Sequence, residues 1–253
     1  MKEGRVIVAQ SVEVIFLGTG SGRPDPERGG SATLIGHGDN GFLIDAGEGV
    51  GRTLVQHAPE WTDRINTLVI THNHADHITG LPMLFMLWKA HGRTRPLDVW
   101  LPKGMGRALF SWLETIRLGE VRGWTCFLHR LAERTCTPQD GLTMEAWLNG
   151  HLPVEKDGSF GSYSLAVETE GLRIVHSSDI NEVEHLTGRI RGADLFISES
   201  MHIDVKDVLA SARSEGAQQV VLTHVPPGHP CKPVEGAVWA YDGMKLSLQD
   251  VKD

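Results

Sequence analysis

The chain has 253 residues, 40% hydrophobic and 22% charged, which excludes collagen-like, coiled-coil and broadly disordered architectures and leaves room for a substantial core. Twenty-four Lys+Arg against 32 Asp+Glu give a formal charge of -8, so a general attraction to nucleic-acid backbones or anionic membranes is not expected. No apolar run is long enough to span a bilayer and the first ten residues lack the apolar segment of a secretory leader, so the expected location is cytoplasmic.

Short apolar runs closed by glycine or polar residues predict strands at Val12–Gly18, Ala32–Gly36, Phe42–Asp45, Thr67–Thr71 and Leu97–Leu101. Helical patterns lie between some of them, at Val50–His57 and at Leu81–His91, which is apolar nearly all round and so expected against a sheet. The second half repeats the theme, with strands at Trp124–Leu128, Leu142–Leu148, Tyr163–Glu168, Leu172–Val175, Leu195–Ser198, Val220–Thr223 and Val238–Tyr241, and helices at Asn181–Thr187 and Val205–Glu215. Strands cluster at the start of each half, which predicts a layered α/β sandwich. No linker-like stretch interrupts the chain, so residues 1–253 read as one domain of two halves. Trp88, Trp112 and Trp147 fall in these patterns and are assigned to core packing.

Three cysteines, Cys126, Cys136 and Cys231, form no close pair and indicate neither a disulfide framework nor a thiolate zinc knuckle. Thirteen histidines against two tyrosines point instead to metal chemistry. Directly after the apolar Leu68–Ile70 stands Thr71-His72-Asn73-His74-Ala75-Asp76-His77. Three imidazoles and a carboxylate within six residues exceed what one small ion needs, and two metals about 3.5–4 Å apart with a bridging water or hydroxide are the economical solution. Further ligand types end other predicted strands: His151 after Leu142–Leu148, Asp179 after Leu172–Val175, and His224 after Val220–Thr223.

These residues resemble the signature of the metallo-β-lactamase superfamily, His-x-His-x-Asp-His, here His72 to His77. The likeness extends from Leu17-Gly18-Thr19-Gly20 through Leu43-Ile44-Asp45-Ala46-Gly47-Glu48-Gly49 to Ala240-Tyr241-Asp242-Gly243-Met244. It implies a four-layer αββα sandwich. It also implies that His72, His74 and His151 hold one metal, that Asp76, His77 and His224 hold the other, and that Asp179 bridges them. Zinc suits this N/O donor set, with manganese or iron as alternatives. Proteins of this kind are often dimeric, so the resemblance allows a homodimer.

Within the superfamily, Leu17–Gly22 and Asp45–Gly49 look like the tRNA 3′-processing endonucleases and their phosphodiesterase relatives. Gly18–Gly22 lacks the spacing of a dinucleotide fingerprint and reads as a tight turn at the site rim, and Asp45 as a brace for the ligand loop. Two departures separate the chain from the endonucleases. Ser198 stands where their His-Glu-Ala-Thr segment has its histidine, and no long glycine- and proline-rich arm separates His151 from His224. The phosphodiesterase of phosphonate catabolism that opens a cyclic ribose phosphate is the better match. It has an acidic residue three before a histidine, here Glu199 and His202, and a pattern approximated by His151 followed by Phe160-Gly161-Ser162-Tyr163, although its cysteine-rich zinc site has no counterpart before Cys126.

The expected activity is hydrolysis of a small or cyclic phosphodiester by a hydroxide bridging two divalent ions, with no membrane partner and no long nucleic acid as substrate. Asp76 orients the nucleophile, and His202 is the candidate proton donor, its tautomer fixed by Glu199. Arg23 and Arg28 could offer guanidinium forks to phosphate, although solvation of a surface loop is the ordinary account. His176 and His229 are candidates to support the ligands from behind. The alternatives are lactone or thioester hydrolysis by the same site and a tRNA 3′-endonuclease-like activity.

Overall fold

Along β1 (Val12–Gly18), Val12, Val14 and Phe16 alternate with Ile15 and Leu17, and all five are buried. A strand covered on both faces must lie between two apolar layers. The computed structural model, which describes residues 11–118 and 123–249, shows both layers; residues 1–10, on which the leader reading rests, lie outside the described residues.

Next to β1 come β2 (Ala32–His37) and β3 (Asn40–Ile44), each antiparallel to its predecessor. Then β4 (Ile65–Val69), β5 (Leu97–Pro102) and β6 (Cys126–Leu131) continue in parallel from β3. The second sheet is built from β7 (Arg134–Gln139), β8 (Leu142–Leu148), β9 (Tyr163–Thr169), β10 (Leu172–His176), β11 (Leu195–Glu199), β12 (Gln219–Thr223) and the short β13 (Val238–Trp239). It is antiparallel from β7 to β10 and parallel from β10 to β13. Finally β14 (Lys245–Leu248) returns to pair antiparallel with β1, giving a first sheet of order β14-β1-β2-β3-β4-β5-β6 against a second of order β13-β12-β11-β10-β9-β8-β7.

The inner core joins Val14, Phe16, Ile44 and Val69 of the first sheet to Leu165, Val167, Ile174 and Ile197 of the second. The opposite side chains of the first sheet, including Ile15, Leu17 and Leu68, pack on α1 (Val50–His57), α3 (Leu81–Ala90) and α4 (Met105–Thr115). Those of the second sheet, including Val175, Phe196 and Leu222, pack on α5 (Val205–Glu215) and a 3-10 turn at Val183–Leu186. This is the expected αββα order. Among the described residues no helix is long and apolar enough to cross a membrane.

Several local expectations change. The Asn181–Thr187 pattern yields only the 3-10 turn, because Glu182 is extended and Gly188 takes a left-handed backbone just beyond it. Trp124 does not start a strand; it is buried against Phe85 and Trp88. The last predicted strand ends at Trp239, because Ala240 turns to bond Leu222 and Gly243 bonds Phe16. Helix α3 buries Leu81, Leu84, Phe85 and Trp88 but leaves Met83 and Met86 exposed, so it is apolar all round without being covered all round. Trp88 and Trp147 are core residues, whereas Trp112 is 38% exposed and outside the core.

Candidate metal centre

Five loops leave the ends of β4, β8, β10, β11 and β12 and meet at one edge of the sandwich. After β4, Thr71 and His72 are buried, His74 is the extended residue before α2 (Ala75–Ile78), and this single turn carries Asp76 and His77. The turn is held by close backbone approach: a Cβ on Gly47 would lie 2.2 Å from the Asp76 carbonyl oxygen, and one on Gly30 2.5 Å from it. Only glycine permits that contact from both sides. Asp45, Ser178 and His224 have left-handed backbones at φ 61, 52 and 54, conformations that non-glycine residues adopt at a cost.

The second nitrogen of each of three imidazoles is occupied by the protein. His77 donates through Nδ1 to Asp45 Oδ2 at 2.8 Å, and Asp45 also accepts from the Thr71 N–H at 2.7 Å and the Thr71 hydroxyl at 2.9 Å. His72 Nδ1 lies 3.1 Å from Thr71 Oγ1, which already donates to Asp45 and so accepts here. His151 Nδ1 donates to Asn181 Oδ1 at 3.2 Å, and Asn181 Nδ2 bonds the Gly150 carbonyl. These contacts leave Nε2 of His72, His77 and His151 turned toward the Asp179 carboxylate, at 3.7, 3.3 and 3.7 Å. His224 Nε2 is 3.3 Å from Asp179 and 3.7 Å from Asp76, and His74 Nδ1 is 3.2 Å from His151 Nε2.

Among the described residues, buried His72 Nε2, His77 Nε2, Asp76 Oδ2 and Asp179 Oδ1 have no hydrogen-bond partner. Unpaired buried polar atoms are costly, and several converging on one point fit a cation better than they fit each other. The donors separate into two groups, His72/His74/His151/Asp179 and Asp76/His77/Asp179/His224, within each of which the donor atoms all lie within 4.8 Å of one another. Four nitrogen and oxygen donors per group with one shared carboxylate suit two divalent ions.

Electrostatics follow the same geometry. Burial draws the His72, His151 and His224 imidazoles below their ordinary pKa. Burial also opposes charge on His77, but Asp179 and Asp45 overcome it and hold His77 well above its usual value. Asp179 is held well below the ordinary carboxylate range, since His77 and His224 outweigh the burial that would raise it.

His202 stands beside the centre, its Nδ1 3.1 Å from Glu199 Oε1 and 3.9 Å from Asp179 Oδ2. The buried Glu199 also accepts from the backbone N–H groups of Ile180, Met201 and His202, tying the loop of Asp179 to that of His202. The hydrogen bond that His202 Nδ1 donates to Glu199 raises the His202 pKa. In the Gly18–Gly22 turn, a Cβ on Gly22 would lie 3.5 Å from the Asp76 carboxylate, which puts this turn on the rim and leaves Arg23 exposed there. Arg28 is turned inward instead, donating to Thr19 Oγ1 and the Ala240 carbonyl beside Asp242. His176 Nδ1 accepts from the backbone N–H of Ser178, whose hydroxyl donates to Thr71 Oγ1, and His229 Nδ1 accepts from the backbone N–H of Cys231. Sequence reasoning passed over Thr71 and Asn181, although each lies within two residues of a candidate ligand.

The family profile described as "Beta-lactamase superfamily domain" matches residues 40–225. The chain is 24% identical over 270 residues to ribonuclease Z of Agathobacter rectalis, covering 85% of this chain and 88% of the relative. Human tRNase Z, short form, superposes with a TM-score of 0.77 at 22% identity, over 93% of this chain and 98% of that one. A diphosphatase from the PhnP family superposes with a TM-score of 0.71 at 18% identity, over 94% and 98% of the two chains.

Proposed function

This chain belongs to the beta-lactamase superfamily, and from that membership we propose that it is a metal-dependent phosphodiesterase acting on a small or cyclic phosphodiester. The observation that carries the reading is the pair of donor groups sharing Asp179. In this proposal His72, His74 and His151 hold one divalent ion, Asp76, His77 and His224 the second, and Asp179 both. Zinc is the ion the donors suit, with manganese or iron as alternatives. When bound, such ions would lower the pKa of a water toward neutrality and neutralise charge on a phosphate.

The protein's own groups do the rest. Asp76 accepts a hydrogen bond from the attacking water and directs it at phosphorus. Glu199 Oε1 accepts a hydrogen bond from Nδ1–H of the His202 imidazolium and keeps that proton in place, so that the Nε2 proton passes to the departing alkoxide and leaves a neutral imidazole. Arg23, exposed on the rim, is the candidate cation for the phosphate.

Relatives named ribonuclease Z support a second reading, a nuclease acting at a tRNA 3′ end. The surroundings favour a small substrate, because the roughly 670 Å³ cavity that continues past His202 is lined by Glu182, Glu184, Asp204 and Asp207. A polyanionic strand leaving in that direction meets four carboxylates.

The test is direct. Purified protein should contain close to two transition-metal ions per chain and hydrolyse bis(p-nitrophenyl) phosphate in preference to lactones and thioesters, and His74→Ala should remove both metal and activity. His202→Ala should retain the metal and lose about a hundredfold in turnover, with a larger loss for alkyl than for p-nitrophenyl leaving groups. Turnover that survives complete chelation overturns the proposal, and loss of metal in His202→Ala overturns the role given to that residue.

A further inference from the structure

Beside the candidate centre, α4 and the loop between His151 and Tyr163 border a half-open cavity of about 270 Å³. Its walls include Asn73, Ile78, Met105, Leu109, Trp112 and Phe160. Two of these bracket the ligand segment: Asn73 lies between His72 and His74, and Ile78 follows His77. A third, Phe160, belongs to the loop that begins at His151. The cavity therefore lies beside the segment that carries the proposed metal ligands. Among the described residues, Asn73 and the Trp112 indole are the only hydrogen-bonding side chains in its wall.

The two aromatic residues lie outside the core. Met105, Leu109 and Leu113 form the buried stripe of α4, and Trp112, next to that stripe, stays 38% exposed along the cavity. Phe160 is 36% exposed and has a left-handed backbone at φ 58, a conformation bulky residues avoid unless the surroundings impose it. Here they do. The Phe160 N–H bonds the Lys103 carbonyl at 3.0 Å, and a Cβ on Gly104 would lie 3.1 Å from the Phe160 ring. Gly104, at φ 95, is the residue from which α4 starts, so the ring and the helix that carries Trp112 are fixed to one backbone turn.

We propose that this cavity is the specificity pocket of the site and receives a flat aromatic ring carried on the ester alcohol of the substrate. The proposal rests on the phosphodiesterase reading above for the position of the phosphate. A dry apolar cavity of about 150 Å³ is enough for benzene, so 270 Å³ takes one ring or a fused pair, and exposed aromatic faces supply stacking that is indifferent to the ring's substituents. Asn73 offers one amide to an edge of the ring.

The experiment is calorimetric binding of phenyl phosphate and methyl phosphate to the metal-loaded protein, with uridine 5′-monophosphate as a further arm to distinguish a nucleobase from a simple aryl group. Phenyl phosphate should bind at least tenfold more tightly than methyl phosphate. Trp112→Ala should bring that ratio close to one, Trp112→Phe should retain most of it, and Ala108→Phe, which fills the cavity from α4 one turn before Trp112 while leaving the indole in place, should lower it as well. Equal affinities in the wild type, or a ratio unmoved by Trp112→Ala and Ala108→Phe, would overturn the pocket. Because binding is read without turnover, a phenyl preference in a protein that fails to cleave phosphodiesters would sink the phosphodiesterase reading and leave the pocket standing.

Discussion

Asp45→Asn is the sharpest test of how the protein prepares its imidazoles. The wild-type carboxylate accepts three hydrogen bonds while fully buried, one through Oδ1 from the Thr71 N–H and two through Oδ2 from the Thr71 hydroxyl and His77 Nδ1. An asparagine must keep its oxygen on the backbone N–H, which cannot turn, and so presents its NH₂ where Oδ2 stood. His77 can then pair only by accepting at Nδ1, which moves its proton to Nε2, the atom that faces Asp179 at 3.3 Å. The Thr71 hydroxyl also loses its acceptor while still flanked by His72 Nδ1 and Ser178 Oγ. Each mismatched buried pair costs about 1–3 kcal/mol, and roughly 2 kcal/mol charged to His77 alone corresponds to about a thirtyfold weaker site. Competition with a chromogenic chelator, with circular dichroism to confirm the fold, reads the effect. Wild-type affinity for both ions in Asp45→Asn would refute the assignment of Nε2 as the donor atom, even if the metal-free protein melted earlier.

Two further outcomes check the core. A Cβ on Gly36 would fall 2.2 Å from the ring of the buried Trp61, so Gly36→Ala should destabilise by about 2–3 kcal/mol and lower Tm by roughly 4–10 °C; a Tm within a degree of wild type would show that Trp61 moves freely. Burial, with Asp98 adding to it, pushes the Cys126 thiol up to about 12. A raised pKa keeps the neutral thiol dominant until the pH approaches that value, so at pH 8 only about one molecule in ten thousand carries the reactive thiolate, against roughly a quarter of an ordinary thiol. Iodoacetamide followed by mass spectrometry should find Cys126 some three orders of magnitude slower in the native than in the urea-unfolded protein, and equal rates would exclude the burial.

The sandwich was legible because strand burial leaves its mark residue by residue. Helix α1 at Val50–His57 and helix α5 at Val205–Glu215 start and stop where their patterns predict, α5 behind the Asp204 side chain that caps Lys206 N–H. Helix α4 was not read from the sequence, since its start depends on Gly104 adopting φ 95 under the Phe160 ring, a contact between residues far apart in the chain. The edge strands β7 and β14 were missed for a related reason: they are short and half-exposed, and are defined by pairing with β8 and β1 rather than by any apolar run of their own. At the site, the local signature placed His72 to His77 immediately, whereas Asn181 is recognisable as the partner of His151 only once loops thirty residues apart meet.

The same distinction explains where the strain lies. Left-handed Asp45, Ser178 and His224 each occupy the first positions after an apolar strand, where the chain must leave the sheet and turn a side chain back over its end. Glycine would remove the strain but also the functional group. The sequence keeps the group and fixes the backbone with bonds from neighbours: Asp45 N–H to the Val69 carbonyl, Ser178 N–H to His176 Nδ1, and Val225 N–H, just after His224, to the Thr19 carbonyl. Strain that the surroundings over-determine serves positioning, and here it is concentrated on residues whose side chains or neighbours face the two donor groups. The burial that makes those side chains costly without a cation is what fixes their direction, so that cost and the fit for a pair of divalent ions have one structural origin.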